Sequence, residues 1–257
     1  MNFEQAKVSF ESYLDGYDRT DDKINLKIIH TYGVVECAEE IARRMGLGEE
    51  DVMLAKLIGL LHDIGRFEQL KRYNSFHSGT MNHAKYGAEL LFEEGMIRQF
   101  VKEDTWDDII RIAIDRHSDF AIEGVTDERT LLHAQIIRDA DKLDNCRVKL
   151  EEKIETMLGI SSEETGTYLI SDEVWQYCLD RKSILASVRR TPMDYWVSYV
   201  AYFYDIYFKE TMQIILEENY IPRIIRRIPY SNSATAERMK ILEKMLLEYA
   251  RGMSGEK

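Results

Sequence analysis

The stretch LIGLLHDIGRFEQL, residues 57–70, carries an apolar run straight into His62-Asp63. A carboxylate at the end of a helix that enters a core loses its hydration and must be compensated. A buried cation, a hydrogen-bond network and a metal ion are the three ways of doing so. Two further residues of the same chemical kind stand on apolar faces elsewhere. His30 lies four residues from both Leu26 and Val34, so on a helix it faces the core; Asp141 follows Ile137 at the spacing at which His62 follows Ile58. Three apolar helix faces therefore each present one or two metal-competent groups. A lone core histidine is usually a satisfied packing residue, and His-Asp pairs arise readily by chance, but the conjunction is much harder to obtain by accident. Imidazole and carboxylate without thiolate form a mixed donor set that suits Mn, Fe, Ni, Co, Zn or Mg alike.

The elements that must position these groups read as helices throughout. Helical periodicity runs over about 3–15, stopped near Gly16, and over about 23–45, capped by Asp21-Asp22 and stopped by Gly46. Glu49-Glu50-Asp51 opens a third helix that ends at His62-Asp63, and 71–81 reads as a loop rich in Asn, Ser and Gly. A helix is expected over 82–94, another from Asp104 to His117, and a long one from Asp127 towards Leu158. The stretch 159–166 reads as a polar loop, and Ser171 as the cap of a short helix. Thr191-Pro192 is a strong start signal for a helix reaching about Asn219. Pro222 and Pro229 bracket a short basic segment, and an amphipathic helix over 234–251 closes the chain. The aromatic run YWVSYVAYFYDIYF reads as core packing. The expected fold is all-α: a single helical domain over 1–257, with a metal-binding core at about 23–148 and a helical extension at about 159–257.

Only three Pro and 14 Gly occur in 257 residues, few for the many turns of an all-β chain. A formal net charge of −12 opposes binding to long nucleic acid or an anionic membrane surface, while leaving room for a small anion in a local cationic pocket. Cys37, Cys146 and Cys178 lie far apart, without the spacing of a zinc knuckle or a disulfide framework, and free thiols fit a reducing cytoplasm. The N-terminal segment is acidic and amphipathic and lacks a signal-peptide apolar region, so a cytoplasmic location is expected.

On the residues named, the chain resembles the HD-domain superfamily of metal-dependent phosphohydrolases, whose signature is H…HD…D. His30, His62-Asp63 and Asp141 match that signature, and HTYGVVECAEEIA, LLHDIGRF and IIRDADKLDN are similar to the family's motif neighbourhoods. The resemblance spans about half the chain. It implies one or two divalent metal ions held by His30, His62, Asp63 and Asp141. His83 in NHAKYGAELL and His117 in IAIDRHS fall where similar proteins place histidines for a second metal, with the HD aspartate bridging. The cyclic-di-nucleotide branch carries GYP after its paired histidines; here Arg116-His117 is followed by SDFAIEGV, which counts against cyclic-di-GMP hydrolysis.

The reaction so implied is attack of a metal-activated water on a small phosphate ester, a nucleotide foremost, with Asp63 at the metal. Arg66, three residues past Asp63, and Lys142, next to Asp141, are the cations placed to offset charge on phosphate oxygens. The competing reading for Arg66 and Lys142 is a salt bridge to a carboxylate such as Glu68 or Asp144. His77 reads as a solvated loop residue and His133 as a packed or hydrogen-bonded one. Arg223, Arg226 and Arg227 read as a solvated face and only remotely as a substrate-entry patch. Two other classes fit the resemblance: a non-catalytic nucleotide- or metal-binding sensor, and a di-iron oxygenase on the same scaffold.

Overall fold

The computed structural model describes residues 1–77 and 79–255, and among them every regular element is helical. No helix among these residues is long and apolar enough to cross a membrane. The chain divides into two compact units, Met1–Asp144 and Asn145–Lys257.

The first unit contains α1 (Phe3–Leu14), α2 (Asp22–Arg44), α3 (Glu49–Leu61), α4 (Ile64–Tyr73), α5 (His83–Ala88), α6 (Asp107–Arg116) and the first part of α7 (Glu128–Glu151). Two of the predicted caps form, whereas the helix expected from Asp104 begins at Asp107, with Trp106 at its cap position and no side-chain cap bond. Asp21 Oδ1 accepts from the Lys23 and Ile24 amides at 2.9 and 3.0 Å, and Asp127 Oδ1 accepts from the Thr130 amide at 2.8 Å. Helices α2 and α3 form the centre, burying Val34, Ala38 and Ile41 of one and Leu54, Leu57, Ile58 and Leu61 of the other. Helix α1 presses Phe10 onto Phe67 of α4, ring centroids 5.9 Å apart, and Tyr13 Oη donates to Ile64 O at 2.9 Å. Full burial of Phe67 contributes about 2–3 kcal/mol. The same contact fixes the start of α4, where the His-Asp pair emerges.

The α3–α4 joint departs from expectation. His62 keeps helical angles, Asp63 swings to φ −104°, ψ 19°, and a new helix begins at once. That helix runs through Lys71, Arg72 and Tyr73, part of the expected loop, and stops where Asn74 takes φ 47°, a left-handed conformation that Asn tolerates. The glycine after the pair has a packing reason. A Cβ at Gly65 would lie 2.3 Å from His83 O and 2.7 Å from Gly87 N, so only glycine lets the backbone of α5 reach α4. The helix expected over 82–94 is interrupted as well: Glu89–Glu93 is a π turn, closed by Glu94 N donating to Glu89 O at 3.1 Å.

The second unit contains α8 (Ile154–Leu158), α9 (Ser162–Thr165), α10 (Asp172–Leu179), α11 (Pro192–Ala201), α12 (Lys209–Glu217), α13 (Tyr220–Ile225) and α14 (Ser233–Ser254). Thr191 and Asp194 form the capping box of α11. The expected polar loop over 159–166 holds the short α9, capped by Ser161. The single helix expected from Pro192 to Asn219 is broken by a 3₁₀ turn at Tyr202–Asp205 and an extended Ile206. The aromatic and β-branched residues there have weak helix preference, so burial of Phe203, Tyr204 and Ile206 decides the backbone. Pro222 lies inside α13, in its first turn, where a missing N–H leaves no intrahelical bond unmade.

Candidate metal centre

The joint after α3 aims His62 and Asp63 at the same place as four other elements do. Two groups of potential ligand atoms result: His30 with His62 and Asp141, and Asp63 with His83 and His117, the atoms of each lying within 4.8 Å of one another. His30 Nε2 is 3.0 Å from Asp141 Oδ1. Asp63 Oδ1 is 3.1 Å from His83 Nε2 and 3.7 Å from His117 Nε2, while its Oδ2 is 3.6 Å from His62 Nε2. Asp63 thus stands between the two groups. The rings follow one another, with His30–His62, His62–His117 and His83–His117 centroids 5.6, 5.3 and 5.0 Å apart. All six ligands expected from the resemblance come together, and all are buried except the partly exposed Asp141.

Three of the four rings are held from behind. His62 Nδ1 is 2.7 Å from Gly59 O, His117 Nδ1 is 2.7 Å from Ile114 O, and His30 Nδ1 is 2.7 Å from Asp144 Oδ2. A nitrogen that donates to a carbonyl or carboxylate leaves the opposite Nε2 as the lone-pair donor. His30 Nε2, His62 Nε2 and Asp63 Oδ1 are buried with no hydrogen-bond partner among the described residues. Orphans of that kind ordinarily cost about 1–3 kcal/mol each. A cation is the partner that imidazole and carboxylate lone pairs accept together, so the residues fit a divalent metal.

The electrostatics agree. Burial pushes His62 down to about 3 and His83 down to about 4, against the attraction of Asp63. Burial alone would raise Asp63, but Lys27, Arg66 and His62 hold its carboxyl well below the usual carboxylate range. Asp141 is likewise held low, burial being outweighed by His30 and His62. Neutral imidazoles and ionised carboxylates are the states that ligate a metal. For His30, burial and Lys27 oppose the proton, yet the neighbouring carboxylates of Asp141 and Asp144 outweigh them and raise it.

Two cations bear on Asp63. Lys27 Nζ lies 2.5 Å from Oδ2, and Arg66 Nε lies 3.6 Å from Oδ1. Arg66 also reaches His83 Nε2 at 2.8 Å and Gln69 Oε1 at 2.6 Å. Glu68 does not take it, being occupied by Arg72 at 2.6 Å and Tyr17 at 3.2 Å. Lys142 extends back along α7, its Nζ 3.5 Å from Arg138 O. Lys27 and the orienting role of Asp144 were missed by sequence reasoning. The available signal was spacing: Lys27 precedes His30 by three residues, and Asp144 follows Asp141 by three, so each shares a helix face with a ligand.

Other charged candidates have local duties. His133 is buried with Nε2 3.0 Å from Asp51 Oδ1, and His77 is exposed, its Nδ1 accepting from the Gly79 amide at 3.0 Å. In the second unit, Arg226 pairs with Glu243 at 2.7 Å, Arg223 donates to Glu218 O at 3.0 Å, and Arg227 donates to the carbonyls of Lys149 and Glu152.

Comparison with curated proteins and with solved structures gave no match. A family model does match: the HD domain, over residues 28–146. The span includes both ligand groups and Arg66, and begins one residue after Lys27. HD-domain proteins are commonly metal-dependent hydrolases, and the two His/Asp groups could hold a metal. Residues 28–146 of this chain thus match the HD domain, the family that the His/Asp signature points to.

Proposed function

We propose that the protein is a metal-dependent phosphohydrolase acting on a small phosphate ester, a nucleotide foremost. The observation that carries this reading is the placement of Lys27 and Arg66 against Asp63, between two His/Asp groups able to hold a cation. His30, His62 and Asp141 would hold one ion, and Asp63, His83 and His117 a second. Bound there, a divalent ion supplies Lewis acidity and lowers the pKa of a coordinated water.

The chain's own residues supply the rest. Lys27 Nζ and the Arg66 guanidinium place two positive charges beside the carboxylate, where a dianionic phosphate can be drawn to them. Arg66 Nε is buried without a hydrogen-bond partner among the described residues, so a donor is in place for a phosphoryl oxygen. Burial of Asp63 and of the histidines keeps bulk water from screening these charges, which strengthens their action on charge developing at phosphorus. The Nδ1 bonds of His30, His62 and His117 keep the rings from rotating, so the site needs little reorganisation.

Metal analysis of the purified protein, coupled to phosphate release from a panel of nucleotides and other phosphate esters, tests the reading. Metal-dependent phosphate release is expected. Metal-dependent oxygen consumption without phosphate release would replace it with an oxygenase, and inactivity in both assays with a sensor.

A further inference from the structure

Phe76 is an apolar ring left 38% exposed beside the charged part of the site. Lys27 Nζ lies over it, 5.9 Å from the ring centroid, while holding Asp63 at 2.5 Å. A single exposed aromatic on a loop ordinarily needs no explanation. This one is fixed to the site by two independent ties. Its carbonyl accepts from Arg66 Nη1 at 3.3 Å, the same guanidinium whose Nε faces Asp63. The segment after it is held by the fully buried Gln69, whose Nε2 donates to His77 O at 3.0 Å and Thr80 Oγ1 at 2.8 Å while its Oε1 takes Arg66 Nη1. The ring, the guanidinium and the ammonium therefore form one hydrogen-bonded and packed unit beside the two ligand groups.

We infer that Phe76 is a specificity-determining residue: its ring stacks on the planar aromatic part of a phosphate ester, a nucleobase, whose phosphate is drawn to Lys27 and Arg66. The inference rests on the phosphohydrolase reading and adds what selects the substrate. Every nucleobase has a π face, so a stacking platform separates nucleotides from sugar phosphates without choosing strongly among bases. The apolar ring explains how a site dominated by charge favours one end of its substrate being flat and uncharged.

The test compares the metal-loaded full-length protein with Phe76→Leu and Phe76→Trp, using adenosine 5′-monophosphate and ribose 5-phosphate as probes. Phe76→Leu is expected to raise KM for adenosine 5′-monophosphate about tenfold with kcat retained, and to leave ribose 5-phosphate unaffected. Phe76→Trp is expected to restore the nucleotide KM. Equal loss on both probes, or no loss on either, overturns the platform and leaves the phosphohydrolase reading standing. Should the wild type release phosphate from neither probe, equilibrium binding decides. Binding of adenosine 5′-monophosphate that weakens in Phe76→Leu keeps the platform, and the panel of phosphate esters then decides the phosphohydrolase reading. Equal binding of the two probes, or none, overturns the platform.

Discussion

Asp144 reaches His30 across a glycine. Its Oδ2 lies 2.7 Å from His30 Nδ1, and a Cβ added at Gly33 would fall 2.0 Å from Asp144 Oδ1. Gly33 stands three residues after His30 on α2, and Asp144 three residues after Asp141 on α7, so one turn of each helix pairs a potential ligand with part of its support. Asp144→Ala is expected to weaken metal binding about 10–100-fold, the usual consequence of losing the carboxylate behind a metal-bound imidazole. Gly33→Ala is expected to move affinity the same way by displacing Asp144. Metal titration of each variant, with far-UV circular dichroism as a check on folding, reads the effect; unchanged affinity in Asp144→Ala would contradict the orienting role.

Asp63 stands between the two ligand groups, and its loss is expected to reach both. Asp63→Ala should lose bound metal and phosphate release together while the helical content persists. It also leaves Lys27 and Arg66 without their carboxylate, and breaking a buried ion pair from one side costs about 3–5 kcal/mol. A lower melting temperature should therefore accompany the loss even in chelator-treated protein. Full metal occupancy in Asp63→Ala would remove Asp63 from the centre.

His83 and His117 discriminate between one ion and two. With Asp63 they form a group separate from His30, His62 and Asp141, so each alanine variant is expected to lower metal stoichiometry from two to one. A wild-type stoichiometry of one under metal-replete conditions, with activity still falling in both variants, would make them phosphate-binding or proton-transfer groups instead. No effect on either measurement would reduce them to ordinary buried histidines.

His133 supplies a pH dependence away from the metal. Burial lowers its pKa below the ordinary value, against the pull of Asp51, so the folded chain keeps it neutral where the unfolded chain protonates it. The unfolded state then binds more protons, and stability falls as pH drops below about 6.5 towards the folded value, with a slope of up to about 1.4 kcal/mol per pH unit for one proton. Asp51, whose pKa is lowered by His133 and Arg129 against burial, adds a second loss at still lower pH, below the ordinary Asp value. Denaturant unfolding of chelator-treated wild type and His133→Gln between pH 7 and 5 measures the first effect. The variant should show the shallower decline; parallel curves would contradict it.

The helices and their inward faces were readable in the chain because both depend on short-range spacing. Asp21, Asp127 and Thr191-Pro192 cap where their side-chain oxygens or fixed φ dictate, and the apolar residues around His30, His62 and Asp141 place each of them inward by the helical repeat alone. That three such faces carried metal-competent residues was likewise visible before any fold was known. What spacing along one helix does not encode is how helices cross, because crossing is settled by packing between residues distant in the chain. The immediate restart of α4 depends on Phe10 of α1 covering Phe67, and the approach of α5 depends on Gly65 offering no Cβ to His83 O. The breaks at Glu89–Glu93 and Tyr202–Asp205 arise where core packing overrides local preference. The division of six side chains into two groups, the seating of Lys27 on Asp63 from 36 residues away and the tie from Phe76 to Arg66 are all relations across such crossings. Composition and periodicity determine which groups turn inward; only the tertiary structure decides which of them meet, because a contact between helices is a property of both surfaces at once.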